Sequence, residues 1–465
     1  MPKDLTASRL RIVPLLVACP IFLQNLDSSA LGTALPAIAA SLHADVLDLN
    51  LAITCYLIGL VVFLPASAWM ADRFGPRRVF CASLAIFTAA SLLCAMAVSL
   101  PQLVAFRLLQ GAGGSMMLPV GRLILLQAVP PAQLMLAMVW FSVPGGVGRL
   151  VGPLMGGAIV TVASWRWIFL VSVPLGIATL LLAWRFIDRD PPPPAELPAA
   201  PDAVGLLMLA LSLGALLAAV EVIGKGVLPW PSIAALAAGG VALLWLYLRR
   251  SRGQAEPMID FSILRVKTYW LSVGGGTPAR MAAGSFPFLL PLLLQLGFGI
   301  PALQTGLLML ASAFGALCAR PLVVATVKRW GERTLLVFGA ACASALFGVY
   351  GLFTAETPWW IIAGVLVLAS AANTSVLVVL ATIGYQDLPP RRMGHGAALS
   401  TMVQQLTVAL GVVLAAALLD WMHQVHGGAA GRLAPEDFRL ALAATAMLPV
   451  ISLLAFLRLP KTGPI

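Results

Sequence analysis

The most regular feature of this sequence is the alternation of long apolar runs with short polar segments. An apolar run of about 20 residues, at 1.5 Å of rise per residue, is the length that an α-helix needs to cross a bilayer core about 30 Å thick. Helices are expected because every backbone N–H and C=O must be hydrogen-bonded within the segment. Fourteen such runs follow one another, at residues 12–34, 49–70, 79–99, 102–128, 136–162, 167–186, 204–223, 230–248, 269–296, 302–327, 334–353, 359–384, 396–419 and 438–457. The pattern therefore predicts an all-α polytopic membrane protein with 14 transmembrane helices.

Two polar segments are longer than the other loops and divide the chain. They cover residues 188–203, with four consecutive prolines at 191–194, and residues 249–268. A proline run cannot be helical and acts as a semi-rigid spacer, so these segments set the seventh and eighth spans apart as an inserted pair. We predict an N-terminal six-helix bundle at 1–187, cytoplasmic linkers and the inserted pair at 188–267, and a C-terminal six-helix bundle at 268–465. The inserted pair is expected to pack peripherally, outside the transport path.

An internal repeat supports the division into two bundles. The second span is followed by DRFGPR at 72–77, and the second span of the other half is followed by KRWGER at 328–333. Parallel repeats related by an axis along the membrane normal are a transporter architecture, with the substrate site between the halves near the bilayer midplane. The repeat therefore favours a transporter.

Composition and charge agree with the membrane prediction. The chain is 60% hydrophobic and 10% charged, whereas a soluble globular chain is about 25% charged. The net charge of +11 could indicate a nucleic-acid partner, but the basic residues concentrate at both termini and in the loops after the even-numbered spans. This is the positive-inside bias. It predicts a multi-pass protein of the cytoplasmic (inner) membrane, surrounded by lipid, with both termini in the cytoplasm and no nucleic-acid partner.

Sequence motifs give no support to an enzyme. The chain has neither a G-x-x-x-x-G-K-[ST] phosphate loop nor an H-E-x-x-H zinc motif. Its six cysteines have no close paired spacing, so neither a disulfide framework nor a metal site is predicted. His423 and His426 are interpreted as solvated residues of an outer loop. Without an ATP site or a cofactor, the expected energy source is an ion gradient.

Asp27 is the only acidic residue deep within a predicted span, and it lies on one helix face with Gln24 and Ser28. Carboxylates inside a membrane are costly and typically functional, which makes Asp27 the leading proton carrier. Arg107, deep in the fourth span, needs a partner or a watery cavity and could tune the protonation of Asp27. The alternatives are a structural ion pair for Asp27 and capture of backbone carbonyls by Arg107.

Further arginines lie within predicted spans, namely Arg122, Arg149, Arg280 and Arg320. A guanidinium offers a bidentate fork to anions, so one hypothesis is a cavity for anionic or zwitterionic substrates. The alternative, which we favour, is that several of them snorkel or bind carbonyls. Aromatic residues in the spans could line an amphipathic cavity or simply pack. The candidate cavity residues are Gln24, Asn25, Ser28, Tyr56, Gln110, Phe141, Arg149, Arg280, Phe288 and Asn373.

Four sequence motifs resemble those of the major facilitator superfamily, in particular its 14-helix drug:proton antiporters of the EmrB/QacA type. They are LDSS at 26–29 with ALP at 34–36, MADRFGPRR at 70–78, FRLLQG at 106–111 with Pro119, and GRLVGPLMGG at 148–157. The resemblance covers nearly the whole chain, and the motif at 148–157 is the most specific because it marks exporters. Two residues depart from the usual pattern: Ala68 replaces a glycine before the second motif, and Arg149 replaces a small or apolar residue.

The resemblance implies a role for each motif. Asp27 and Arg107 would couple transport to protons. The loop after the second span would be a gating motif, formed by Asp72, Arg73, Gly75, Arg77 and Arg78, in which Asp72 clasps the start of the thirteenth span near Gly394. The fifth span would carry the antiporter motif, formed by Gly148, Gly152, Pro153, Gly156 and Gly157. Its glycines would allow close helix packing, and Pro153 would kink the helix.

The sequence as a whole predicts a proton-driven exporter of amphipathic drugs or other small molecules, working by alternating access. Its partners would be the small-molecule substrate, protons and the bilayer. An envelope-spanning export partner is an open alternative that no motif supports. One alternative function is dedicated export of an organic anion or metabolite, and a second is a membrane receptor or scaffold without transport activity.

Overall fold

The structure is a computed structural model, which describes residues 9–129, 134–188, 190, 202–222, 229–251, 261–389, 393–426 and 433–459. All regular elements in these residues are helices. The α-helices are α1 Arg9–Leu42, α2 Asn50–Phe63, α3 Ser67–Phe74, α4 Pro76–Met96, α5 Leu100–Ala128, α6 Leu134–Val162, α7 Arg166–Leu170, α8 Ser172–Phe186, α9 Ala203–Val222, α10 Trp230–Ser251, α11 Lys267–Trp270, α12 Thr277–Leu292, α13 Ala302–Trp330, α14 Glu332–Tyr350, α15 Trp359–Gln386, α16 Met393–Val425, α17 Pro435–Ala446 and α18 Leu448–Phe456.

The predicted spans agree with these helices. Thirteen helical stretches of the described residues are long and apolar enough to cross a membrane, and the apolar helix Val204–Leu216 within α9 lies at the seventh predicted span. Some spans comprise two helices, as in α7 with α8 and α17 with α18. The ninth span contains two π-helical turns, Leu271–Gly275 and Leu293–Gly297, on either side of α12. The prediction of an all-α polytopic fold is confirmed.

Helix contacts follow the two predicted halves. In the first half α1 packs on α6, and α5 packs on both α2 and α4; in the second, α12 packs on α16 and α13 packs on α15. The halves meet where α6 contacts α13 and where α2 contacts α16. The inserted helix α9 packs on α10, and it also contacts α2 and α16, so it lies at a seam between the halves. The boundaries of the three predicted regions stay a prediction.

The internal repeat predicted from sequence has the same geometry in both halves. Gly75 and Gly331 each end a helix with a positive φ, of 91° and 78°, a backbone region that favours glycine. Two residues later, the Arg77 guanidinium donates to the carbonyl oxygen of Trp184, and the Arg333 guanidinium donates to that of Leu457 at 2.9 Å. Each arginine thus ties the loop after the second span to the end of the sixth span of its own half.

A hydrophobic core shared by both halves closes the end of the bundle that is predicted to face away from the cytoplasm. It contains the second half of α1, from Ala30 to Ala39, together with Phe288 and Leu292 of α12. The Gln295 amide, in the π-helical turn after α12, donates to the carbonyl oxygen of Thr33 at 2.9 Å. The halves are therefore joined at this end, and the site lies below it.

Candidate functional site

A cavity of about 440 Å³ lies between the two halves, lined by α1, α2, α5, α6 and α12 to α16. Eight of the ten predicted cavity residues line it: Gln24, Asn25, Ser28, Tyr56, Arg149, Arg280, Phe288 and Asn373. The other two lie behind its wall. Gln110 is fully buried beside Arg107, and Phe141 packs in the apolar core around α5. Both are polar or aromatic residues on helices that reach the cavity, and helical spacing alone does not tell which of their faces points inward.

Asp27 and Arg107 form a buried ion pair at the cavity wall. Both side chains are at most 1% exposed, and Arg107 Nη1 donates to Asp27 Oδ2. Arg107 lines the cavity, whereas Asp27 is not among the lining residues. Asp27 Oδ1 is buried without a hydrogen-bond partner in the described chain.

The Arg107 guanidinium is held from several sides. Its Nε donates to the carbonyl oxygen of Ala52 at 3.2 Å, and its Nη1 also donates to Gln110 Oε1 at 2.6 Å. The guanidinium lies over the ring of Tyr56, 4.4 Å from the ring centroid, and near Phe169 at 5.7 Å. The predicted capture of a backbone carbonyl is thus present together with the ion pair, and a role of Arg107 in the protonation of Asp27 stays a prediction.

The remaining span arginines differ in their surroundings. Arg280 is 5% exposed and donates to the carbonyls of Ser272 and Val273 in the first π-helical turn. The exposed Arg149 donates from Nε to Asn25 Oδ1 at 3.0 Å. Arg122 is exposed, and the side chain of Arg320 lies outside the described residues. Of the five arginines within predicted spans, Arg107 and Arg280 are therefore buried, whereas Arg122 and Arg149 are exposed.

The lining carries an uneven charge. Its charged side chains, within the described part of the chain, are Arg107, Arg149 and Arg280, and none is a carboxylate. Among these residues, the charged part of the lining is therefore basic.

The predicted gating motif contacts its own half and the start of the linker that follows it. Arg77 and Arg78 donate their backbone N–H groups to the Asp190 carboxylate at 2.8 and 3.1 Å, which caps the first turn of α4. Arg73 lies over the rings of Trp69 and Phe74. Asp72 is exposed, and its contact with the start of α16 near Gly394 stays a prediction.

The predicted antiporter motif packs as a glycine face. Cβ atoms added at Gly148, Gly152 and Gly156 would overlap the backbone or side chains of α1 near Asp27. A Cβ at Gly157 would overlap the Ala302 carbonyl, and one at Gly306 would overlap the Pro153 carbonyl, so α6 and α13 touch across the two halves. The glycines hold α6 against both the helix of the buried carboxylate and the other half.

We expect Gly157→Ala to reduce transport by about tenfold, because overpacking of about 1–3 kcal/mol would weaken the closed contact between the halves. The measurement is substrate-dependent proton flux in proteoliposomes. Gly364→Ala is the matched control, since no atom lies within 4 Å of a Cβ built at that position. Equal flux in the two variants would show that the α6–α13 contact does not matter for transport.

Several polar contacts were not predicted from the sequence. The Gln110 amide donates to Ser91 Oγ on α4 at 2.8 Å. His423 and His426, interpreted as solvated, share the buried Asp437 carboxylate, at 3.1 and 2.7 Å. Ser91, His423, His426 and Asp437 belong to none of the recognised motifs, and each contact joins residues that are at least 11 positions apart in the sequence. Among the described residues, no group of three or more His, Cys, Asp or Glu side chains is arranged to hold a metal ion.

Comparison with protein families gives a match to the Major Facilitator Superfamily over residues 17–412 and 273–464. A protein of Klebsiella pneumoniae subsp. pneumoniae named "Putative multidrug resistance protein MdtD" is 37% identical over 455 residues, which are 96% of this chain and 94% of that protein. The protein of the same name from Salmonella typhimurium is 35% identical over 455 residues, with the same coverage.

Solved structures agree in fold. A bacterial homologue of the human lysosomal transporter Spinster, in an inward-facing and occupied conformation, superposes with a TM-score of 0.68 at 15% identity, covering 96% of both chains. A D-xylose–proton symporter superposes with a TM-score of 0.68 at 13% identity, covering 97% of this chain and 96% of that chain. Identities this low show a common fold alone.

Proposed function

Because this chain belongs to the major facilitator superfamily, we propose that it is a proton-coupled exporter that moves amphipathic small molecules out of the cytoplasm. It is a multi-pass membrane protein, and we place it in the cytoplasmic membrane with both termini inside, on the basis of its positive-inside charge bias. The multidrug-resistance names of its relatives support this proposal. The observation that carries it is the buried Asp27–Arg107 pair at the wall of a cavity between the two halves.

The ion pair gives a physical route from proton binding to substrate release. When Asp27 is ionised, its charge cancels that of Arg107. When Asp27 takes a proton on Oδ1, the guanidinium that faces the cavity is left with an uncompensated positive charge. Two unit charges about 8–10 Å apart interact by roughly 2 kcal/mol at an effective dielectric constant of about 20. A bound cation would therefore be released about tenfold or more easily.

Alternating access would turn this competition into export. With the outer end closed, the cavity loads substrate while Asp27 is ionised. Rearrangement of the two halves then opens the outer end, where a proton displaces the substrate, and the protonated carrier returns to release the proton inside. The π-helical turn Leu293–Gly297 and the glycine contacts between α6 and α13 lie at the surface that must separate.

Proton movement in proteoliposomes with an imposed pH gradient tests this function. We expect cationic amphipathic drugs to dissipate the gradient in a protein-dependent manner, and protein-free liposomes are the control. If no compound of a panel of cations and anions moves protons or is itself transported, while the purified protein still binds some of them, the protein would be a receptor or scaffold and the export proposal would fail.

A second candidate function is export of an organic anion, and the three cavity arginines favour it. An anion would pair with Arg149 or Arg280 through a bidentate guanidinium contact. Its coupling would differ in sign, since protonation of Asp27 makes the cavity more positive and strengthens anion binding. The anion would then leave along the inside-negative membrane potential, about 2.3 kcal/mol per charge and 100 mV, without a counter-moving proton.

The pH dependence of ligand binding separates the two candidates. We expect the affinity of a cationic ligand to fall by about tenfold as pH is lowered, whereas the affinity of an anionic ligand should rise. Tryptophan fluorescence of the purified protein, titrated with each ligand between about pH 5 and pH 9, measures both. Cation affinity that is independent of pH would contradict the proposed competition between proton and substrate.

A further inference from the structure

A chain of hydrogen bonds connects the Arg107–Asp27 pair to α4, on the side away from the cavity. Gln110 Oε1 accepts from Arg107 Nη1 at 2.6 Å, and Gln110 Nε2 donates to Ser91 Oγ at 2.8 Å. Ser91 Oγ in turn donates to the carbonyl oxygen of Phe87, at 2.8 Å. Arg107, Gln110 and Ser91 are each 0% exposed, so water does not compete for these bonds. The polar network at the pair therefore extends to Ser91 of α4, a residue outside all of the predicted motifs.

The chemistry of each group determines which atoms donate and which accept in this series of hydrogen bonds. A serine hydroxyl has one proton and two lone pairs. Because the Ser91 proton is directed to the Phe87 carbonyl, only lone pairs face Gln110, and these attract the amide NH₂ group rather than its oxygen. The amide oxygen then faces Arg107, which has only donors. In the flipped amide, the NH₂ group would face the donors of Arg107 and the oxygen would face the lone pairs of Ser91, so Ser91 and Arg107 favour the same orientation.

We propose that Ser91 and Gln110 are positioning residues that hold the Arg107 guanidinium on Asp27, and thereby influence the pH dependence of transport. This inference rests on the proposed proton-coupled function. Arg107 Nη1 serves both Asp27 Oδ2 and Gln110 Oε1, so the place of this nitrogen depends on both acceptors. If Gln110 loses its orientation, Nη1 loses one of the two contacts that keep it against the carboxylate.

The groups packed around Asp27 explain why these hydrogen bonds matter for its charge. The titratable groups packed around the pair in the described structure are Tyr56 on α2 and Cys94 on α4, with the Cys94 thiol 3.9 Å from Gln110 Oε1. Neither supplies a positive charge, and Arg149 on α6 is bound to Asn25. The ionised carboxylate therefore depends on Arg107. A guanidinium held less closely would stabilise the ionised carboxylate less, and transport that depends on this carboxylate would change its pH profile.

The pH profile of transport tests the inference. We expect Ser91→Ala to move the midpoint of the profile upward by about 0.5–1.5 pH units, within the range that a change in a neighbouring charge produces. The apparent KM at a pH well above the midpoint should stay unchanged, because Ser91 and Gln110 do not line the cavity. Ser91→Thr keeps the hydroxyl and should restore the wild-type midpoint.

Thr88→Ala is the matched control, because the Thr88 hydroxyl is also buried on α4 but donates only to the Leu84 carbonyl, at 2.7 Å. Gln110→Met removes the amide but keeps a side chain of similar length, and it should shift the midpoint in the same direction as Ser91→Ala. If Ser91→Ala does not fold, Gln110→Met takes its place in the test. A midpoint in Ser91→Ala and Gln110→Met equal to that of Thr88→Ala would overturn the inference. If the proposed function itself fails, wild type and Asp27→Asn will show the same proton flux, which is a distinct result.

Discussion

Replacing Asp27 by asparagine is expected to reduce substrate-dependent proton flux to the level of protein-free liposomes. Asparagine has nearly the shape of aspartate and can still accept from Arg107, but it cannot bind and release a proton near neutral pH. The variant resembles the protonated carrier, so Arg107 stays uncompensated toward the cavity. We therefore expect low affinity for cationic ligands at every pH, together with loss of flux.

Two further variants test whether the loss of flux is specific to the Asp27 carboxylate. Asp27→Glu keeps a titratable carboxylate and should retain part of the flux. Glu356→Gln removes an exposed carboxylate from a loop between α14 and α15 and should transport like wild type. Should Asp27→Asn still exchange protons for substrate at the wild-type rate, another group would have to carry the proton.

The Asp27–Arg107 pair was foreseeable because charges inside a membrane need partners, and few partners are available. One deep carboxylate and several span arginines leave a small number of combinations. The sequence singled out Arg107 as the arginine that could act on Asp27, but it did not show that the two side chains meet. Their contact depends on α1 and α5 crossing at the height of these residues, which is a property of helix packing. The same applies to Arg280, whose carbonyl partners exist because a π-helical turn leaves them accessible.

The close packing of the glycine face of α6 was also predictable from the sequence. Glycines at 148, 152 and 156 recur every four residues, so they must share one helix face, and small residues favour close packing in membranes. The pattern predicted close approach, and the structure adds the partner, α1. Gly306 carried no such signal, because a single glycine in an apolar helix does not reveal that it meets Pro153 across the two halves.

Ser91 marks the limit of sequence reasoning at this site. A serine within an apolar helix commonly bonds its own backbone four residues earlier, and Ser91 does this through Phe87. Its second role, as acceptor for Gln110, requires α4 and α5 to meet at that turn.

The position of the inserted helix α9 was predicted only in part. The sequence predicts a peripheral position, and α9 does not line the cavity. Its contacts with both α2 and α16 follow only from the three-dimensional arrangement.

Removing Arg107 alone is expected to destabilise the protein strongly, and removing its partner as well should reverse much of the loss. Breaking a buried ion pair by deleting one member costs about 3–5 kcal/mol, because the other charge is left buried without compensation. We therefore expect Arg107→Met to unfold at a markedly lower temperature than wild type. The double variant Asp27→Asn with Arg107→Gln, which pairs two neutral amides, should recover most of that stability but none of the proton flux.

Thermal unfolding of the detergent-purified variants measures this double-mutant cycle, with Arg107→Gln and Asp27→Asn as its single variants, and proteoliposome flux supplies the second readout. The matched control is the Asp202–Arg250 pair between the start of α9 and the end of α10, where the Arg250 side chain is 45% exposed. The same exchanges at that pair should change stability by less than about 1 kcal/mol, since exposed pairs contribute little. At Asp27 and Arg107 the coupling energy should exceed about 1 kcal/mol, as contacting residues in one network show. Additive effects there would mean that the two side chains do not depend on each other, and the charge compensation on which the transport cycle rests would have to be abandoned.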